Sequence, residues 1–171
     1  MRLEIGAGKK CGWVTIDAVK QADFVCEVPP LPDDVMQMKF DRVESCHFWE
    51  HLYHWQAVEL AEQIYTVLNP GGVLSMELPD LNKACEYFLG LKNIPVLGGA
   101  PCQPDPRFTL WRIYGPQTDP NVSGNKFMAH KWGYTPDSIK EQLYNVGFKT
   151  VTVSVAKKTK PLLDMLVEAI K

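Results

Sequence analysis

Short apolar runs, separated by polar and turn-forming residues, recur along the whole chain and predict seven β-strands. The runs lie at residues 3–5, 13–16, 24–28, 42–46, 73–78, 149–155 and 165–170. Runs this short and this apolar are typical of strands that are covered on both faces. We therefore expect a central sheet sandwiched between helices.

A helical period lies between the fourth and fifth strands. Apolar residues at positions 57, 60, 61, 64, 65 and 68 fall on one helix face, and Asn-Pro-Gly-Gly at residues 69–72 ends the helix. Two more helices are predicted, from residue 81 to about residue 89 after the N-cap Asp80, and between Thr135 and Gly147. This order predicts an α/β fold with a doubly wound, mostly parallel seven-stranded sheet.

Residues 91–133 show no clear period and hold six of the thirteen prolines. A connection this long inside a compact domain is usually functional or disordered, and its aromatic residues argue against disorder. We expect residues 1–171 to form a single domain in which residues 91–133 are an insertion over the carboxyl edge of the sheet.

Composition excludes several classes of protein. The net charge of −2 argues against nucleic-acid binding through a basic surface, although a nucleic-acid substrate stays open. No apolar run of about 20 residues predicts a membrane span, and the early first strand leaves no room for a signal peptide. Five scattered cysteines without a CxxC pair indicate a reducing, cytoplasmic location. The oligomeric state is not indicated.

The loop after the first strand carries two glycines, Gly6 and Gly8, and the second strand ends at Asp17. Glycines let a ligand approach the backbone, and a carboxylate at that strand tip is placed to bind ribose hydroxyls. Only residues 9–12 separate Gly8 from the second strand, so the first crossover helix is shortened or missing. A pyrophosphate therefore loses its usual seat at a helix N-terminus, which favours an adenosine ligand without phosphate, such as S-adenosylmethionine.

Several motifs in order extend this interpretation. They are Glu4-x-Gly6-x-Gly8, the segments 40–51 and 68–72, and the sequence Ala-His-Lys-Trp-Gly-Tyr-Thr at 129–135. Together they resemble the small class I S-adenosylmethionine-dependent methyltransferases, and the resemblance covers nearly the whole chain.

The resemblance implies a role for each matching residue. Gly6 and Gly8 would contact the methionyl part of the cofactor, Glu4 would orient the loop, and Asp17 would bind the ribose. Glu27 would lie near the adenine or the ribose edge, and His47 would line the methionyl side. Glu50 and His51 match the acid–histidine pair of the family.

Methyl transfer from a sulfonium depends mainly on alignment of the nucleophile, the methyl carbon and the sulfur. A hydroxyl acceptor would also benefit from a base near neutral pKa, and His51 and His130 are the candidates. We expect a small-molecule acceptor, by analogy a sugar or a glycan precursor.

Two other functions stay open at this point. A NAD-dependent oxidoreductase shares the glycine and carboxylate pattern, and a methyltransferase-like protein without catalysis would retain the same cofactor motifs. The sequence His47-x-x-Glu50-His51, extended by His54, also matches an inverted zinc-peptidase pattern. Because it directly follows a strand, where methyltransferases carry their own histidine and glutamate, we expect no metal site.

Overall fold

The computed structural model describes residues 1–6, 8, 10–18, 21–92, 106–116 and 127–171, with only the backbone described for 106–109. It contains one seven-stranded sheet with the order β3-β2-β1-β4-β5-β7-β6. The strands are β1 (Arg2–Ile5), β2 (Val14–Asp17), β3 (Phe24–Val25), β4 (Phe40–Cys46), β5 (Leu68–Pro79), β6 (Thr150–Val155) and β7 (Asp164–Ile170). Neighbours from β3 to β5 run parallel, and β7 is antiparallel to both β5 and β6. The predicted, mostly parallel α/β sheet is confirmed.

The helices are α1 (Asp33–Met36), α2 (His54–Val67), α3 (Leu81–Phe88), α4 (Pro106–Tyr114) and α5 (Pro136–Val146), with a 3₁₀ turn at Trp49–His51. Three of them were predicted, together with both N-caps: Asp80 accepts from the Asn82 N–H, and Thr135 accepts from the Ser138 N–H. Helix α4 lies inside the expected insertion, which lacked a visible period. Residues 93–105 and 117–126 of that insertion lie outside the described residues.

The junction between α2 and β5 differs from the expectation of a turn at residues 69–72. The helix ends at Val67 and the strand begins at the next residue, where Leu68 pairs with Phe40. The register then shifts before Val73 pairs with Arg42. The Asn-Pro-Gly-Gly segment is therefore an irregularity in the pairing of β5 with β4. It is not a separate turn, because Leu68 before it already pairs with β4.

One face of the sheet forms the hydrophobic core. One apolar row crosses the sheet from strand to strand in register; its members are Val14, Leu3, Val43, Leu74, Ala169 and Val151. The predicted apolar face of α2, with Leu60 and Ile64 fully buried, belongs to the same cluster. Residues one step along each strand point to the opposite face.

The opposite face is polar in its centre, contrary to the expectation that both faces are apolar and covered by helices. A row of Thr15, Glu4, Glu44, Ser75 and Glu168 crosses it in register. The described part of the connection between β1 and β2 contains no helix, and the side chain of Lys10 lies there instead. Its Nζ donates to Glu4 at 2.6 Å and to Glu44 at 3.2 Å.

Glu44 is the centre of this network. It also accepts from Arg42 Nε and from Lys158 Nζ, both at 2.6 Å. Burial disfavours the charge, but the hydrogen bonds from Lys158, Arg42 and Lys10 outweigh it and lower the pKa of Glu44 to about 2. Loops thus cover this part of the sheet through ion pairs. Among the described residues, no helix is long and apolar enough to span a bilayer.

Candidate cofactor cleft

A cavity of about 250 Å³ opens at the carboxyl ends of β1 to β4. Its wall includes a residue at or just after the end of each of these strands: Gly6, Asp17, Glu27 and His47. The chain passes outward from β1 to β3 and then returns to β4 on the other side of β1, so the sheet order reverses here. Ligands of open α/β sheets bind at such a reversal.

The glycine loop forms the floor of this cleft and is fixed by hydrogen bonds. Gly6 has a φ of +81° and donates to Ile16 O at 2.9 Å, and Gly8 has a φ of +68° and donates to Asp17 Oδ2 at 2.9 Å. Both conformations favour glycine. A Cβ built on Gly6 would lie 2.5 Å from Cδ2 of Phe48, so this position leaves no room for a side chain.

Asp17 and Glu27 both line the cleft. Apolar side chains of Ile16 and Val28 border the same region. Gly8 is held beside the cleft through its bond to Asp17. The structure therefore brings Gly6, Gly8, Asp17 and Glu27 together.

Glu4 lies apart from them. Its buried side chain points to the polar sheet face and pairs with Lys10, and it is not part of the cleft wall. Through Lys10 it holds the short connection after β1 against the sheet. The role of Glu4 in orienting the glycine loop toward the cofactor stays a prediction.

His47 follows β4 and is clamped between two carboxylates. Its Nδ1 lies 2.8 Å from Glu50 Oε1, and its Nε2 lies 3.2 Å from Asp164 Oδ2. The hydrogen bonds to Asp164 and Glu50 outweigh burial and raise the pKa of His47 to about 9, so the ring is protonated at neutral pH and donates from both nitrogens. Asp164 also accepts from Arg112 Nη1 at 3.2 Å.

No family model matches the chain, and no curated protein does. Among solved structures, a methyltransferase from Clostridium acetobutylicum ATCC 824 has a TM-score of 0.60 and 11% identity, over 99% of this chain and 82% of that chain. Methyltransferases from Archaeoglobus fulgidus and Mesorhizobium loti both have TM-scores of 0.56, with 15% and 16% identity, covering 99% of this chain and 85% and 90% of theirs. All three are described as S-adenosylmethionine-dependent.

The chain has the fold of the class I S-adenosylmethionine-dependent methyltransferases. This confirms the resemblance expected from the motifs. At such low identity, the likeness establishes the fold and leaves the reaction to be argued from the site.

The cleft of this methyltransferase fold suits the cofactor that the fold implies. Gly6 offers backbone without a Cβ, Asp17 offers a carboxylate at the end of β2, and Ile16 and Val28 offer apolar surface that a purine ring could contact. The volume of about 250 Å³ lies just below the roughly 300–1,000 Å³ common for small-molecule sites. The residues therefore fit an adenosine compound.

Beyond His47, the 3₁₀ turn brings Glu50 and His51 against a segment that is distant in sequence. The Lys131 N–H donates to Glu50 O at 2.8 Å, and His51 Nδ1 lies 3.2 Å from Ala129 O. The rings of His51 and His130 meet edge to face, with centroids 5.0 Å apart. Burial disfavours the charged ring and lowers the pKa of His130.

These positions separate the predicted residues into two groups. His47 and His51 line the cleft, whereas Glu50 and His130 line a small cavity of about 10 Å³ beside it. The zinc-peptidase arrangement is not formed by the described residues, because both ring nitrogens of His47 face carboxylates and the exposed His54 ring packs on Trp132.

Sequence reasoning missed Asp164 and Arg112. Asp164 is fully buried at the start of β7 and reaches His47 across 117 positions. Only the antiparallel pairing of β7 with β5 brings it there, and no local pattern signals that pairing.

Proposed function

We propose that this protein transfers a methyl group from S-adenosylmethionine to a hydroxyl of a small-molecule acceptor. One observation carries the proposal. Gly6, Asp17, Glu27 and His47, to which the resemblance gives contacts with the methionyl, ribose and adenine parts of one cofactor, line a single cleft at the strand-order reversal.

The short connection between β1 and β2 favours this cofactor over NAD. A dinucleotide needs a helix N-terminus for its pyrophosphate. The described residues between Gly8 and Val14 form turns, and Lys10 in that connection is committed to Glu4 and Glu44. Among the described residues of this connection there is no helix N-terminus that could bind a pyrophosphate.

Residues of the cleft then position the two reactants. Asp17, fixed by the Gly8 N–H, would accept hydrogen bonds from the ribose hydroxyls, and the carbonyl and N–H groups near Gly6 would hold the amino-acid end. S-adenosylmethionine supplies a methyl group on a positively charged sulfur, which leaves as a neutral thioether. The acceptor oxygen forms the new bond to carbon as the carbon–sulfur bond breaks, and that electron pair goes to sulfur.

The acceptor would enter beside the segment that closes the cleft. Phe127, Met128 and Lys131 form this wall, and they come from the end of the expected insertion. An apolar surface with one cation and the nearby His51 suits an uncharged or acidic molecule with hydroxyl groups, such as a sugar or glycan precursor. His51 lines the cleft and His130 stands behind it, so of the two candidate bases His51 is better placed to receive the hydroxyl proton.

A transfer assay tests this proposal. Protein is incubated with S-adenosylmethionine labelled in its methyl group and with a fractionated extract of small molecules. Label should appear in an acceptor with wild-type protein and decrease strongly with Asp17→Asn, which retains an oxygen for the Gly8 N–H but loses the charge. Absence of transfer across sugars, sugar precursors and other hydroxyl compounds, with cofactor binding intact, would favour a non-catalytic protein.

A further inference from the structure

Three side chains next to the cleft form a compact cluster that the proposed cofactor does not explain. Glu50, His51 and His130 each offer one donor atom, and these atoms lie within 4.8 Å of one another. We propose that the cluster binds a divalent transition-metal ion. Two imidazole nitrogens with one carboxylate oxygen form a donor set that suits Zn²⁺, Mn²⁺, Fe²⁺ or Co²⁺ better than Ca²⁺ or Mg²⁺.

Only one of the two carboxylate oxygens of Glu50 has a hydrogen-bond partner among the described residues. Its side chain is only 2% exposed, and Oε1 is occupied by His47 Nδ1 at 2.8 Å. Oε2 is buried and has no hydrogen-bond partner within the described part of the chain. A buried acceptor without a partner is costly, and more so when it is charged. A cation at Oε2 would remove that cost.

Both histidines are oriented as metal ligands usually are. Nδ1 of His51 faces the carbonyl oxygen of Ala129 at 3.2 Å, and Nδ1 of His130 faces that of Arg112 at 3.1 Å. A carbonyl oxygen only accepts, so Nδ1 carries the proton and donates. In the neutral rings the lone pair is then on Nε2. Ligand histidines commonly have their second nitrogen fixed by a backbone carbonyl in this way.

A space of suitable size lies at the cluster. Glu50 and His130 line a cavity of about 10 Å³, which is roughly the size of one water molecule. His51, on the other side, lines the cofactor cleft. Bonds of about 2.1 Å place ligand atoms at most about 4.2 Å apart, so donor atoms up to 4.8 Å apart would move together by about half an ångström or more when an ion binds.

One oxygen of Glu50 already has a cationic partner. His47 pairs with Oε1 of Glu50 and, through its other ring nitrogen, with the fully buried Asp164. Arg112 also pairs with Asp164, so Oε2 of Glu50 is the oxygen that an ion would take. The expectation of no metal site concerned the His47-x-x-Glu50-His51 pattern and was based on its position directly after a strand. The proposed cluster contains His130 in place of His47, and the sequence places His130 far from Glu50.

An ion with three protein ligands keeps positions open for other oxygen atoms. On the function proposed above, on which this step rests, one such position would hold the acceptor hydroxyl at the cleft wall formed by His51. Binding to a divalent ion lowers the pKa of an oxygen ligand. With the ion bound, the hydroxyl would lose its proton to solvent, and His51 would hold the ion instead of acting as the base described for the metal-free protein.

Titration with Co²⁺ tests the site without any cofactor, because its d–d absorption reports the ligands. After treatment with a chelator, wild-type protein should bind one Co²⁺ per chain. Each of the variants Glu50→Gln, His51→Gln and His130→Gln loses one ligand and should bind Co²⁺ on the order of 100-fold more weakly. Loss of a residue that only supports a ligand costs about 10–100-fold in affinity, so loss of the ligand itself should reach the upper end of that range. The matched control is His54→Gln, an exposed histidine near His51 that should leave Co²⁺ affinity unchanged. Circular dichroism checks the fold of each variant.

Wild-type protein supplies a second measurement if a variant does not fold. In NMR spectra, the ring signals of His51 and His130 should show large paramagnetic shifts with Co²⁺, and those of His54 much smaller ones. Absence of saturable binding, or equal effects at His54 and His51, would overturn the site. A protein that binds Co²⁺ here but not S-adenosylhomocysteine would retain the metal site and lose the proposed function, so the two failures are distinguishable.

Discussion

Substitution of Gly6 by alanine provides a test of how the floor of the cleft is built. Two penalties are expected: a left-handed φ of +81° and a Cβ only 2.5 Å from Cδ2 of Phe48. Gly12 is a matched control, since it has a φ of +76° and no atom within 4 Å of the built Cβ. Gly12→Ala therefore measures the backbone penalty alone.

The magnitudes follow from this difference. A left-handed alanine costs about 1–2 kcal/mol, and the stiffer unfolded chain returns about 0.4–1 kcal/mol. Gly12→Ala should thus lower the free energy of unfolding by about 1 kcal/mol. Crowding against Phe48 adds about 1–3 kcal/mol, so Gly6→Ala should lower it by about 2–4 kcal/mol.

Urea unfolding followed by tryptophan fluorescence measures both variants. A double-mutant cycle with Phe48→Ala isolates the contact: part of the Gly6→Ala cost should disappear when the ring is absent. Equal losses for Gly6→Ala and Gly12→Ala, or no coupling to Phe48, would refute the view that Phe48 packs directly on the glycine loop.

Three further predictions concern single side chains. Asp17→Asn should weaken S-adenosylhomocysteine binding about 10–100-fold by calorimetry, the value of one or two hydrogen bonds to a charged group, while Asp34→Asn, on the exposed part of α1, should not. Glu44 has a pKa of about 2 in the folded protein, below the unfolded value of about 4.3, so it stabilises above pH ~5 by up to about 3 kcal/mol. This stabilisation is lost as the pH falls toward 2, and Glu44→Gln should flatten that part of the curve of unfolding free energy against pH. Tyr134→Phe should raise the melting temperature, because this buried hydroxyl has no partner among the described residues and its removal should gain about 1 kcal/mol; Tyr144→Phe, at the surface, is the control.

The sequence predicted those features that depend on local pattern. The apolar period of α2, the caps Asp80 and Thr135, and the four residues between Gly8 and the second strand each reflect a constraint on neighbouring residues. The parallel pairing of β1 with β2 could be predicted because a short extended segment can still return along a four-residue strand.

Features that depend on pairing between distant residues could not be predicted from the sequence. Polarity of one sheet face arises only when Glu4, Glu44 and Glu168 are brought into register, and each residue alone is one charge in an apolar run. Likewise, Asp164 meets His47 through the β5–β7 pairing, and His130 meets Glu50 through the backbone bonds of the 3₁₀ turn. Gly6, Gly8 and Asp17 could be predicted as cofactor residues because one short stretch holds them, whereas the proposed metal cluster joins two distant stretches.

Calorimetric titration of the wild-type protein with S-adenosylhomocysteine, in parallel with NAD, tests the central claim most directly. The cleft lined by Gly6, Asp17, Glu27 and His47 predicts saturable binding of one S-adenosylhomocysteine per chain and no binding of NAD. Saturation by NAD, or the absence of heat with S-adenosylhomocysteine at any concentration, would contradict it.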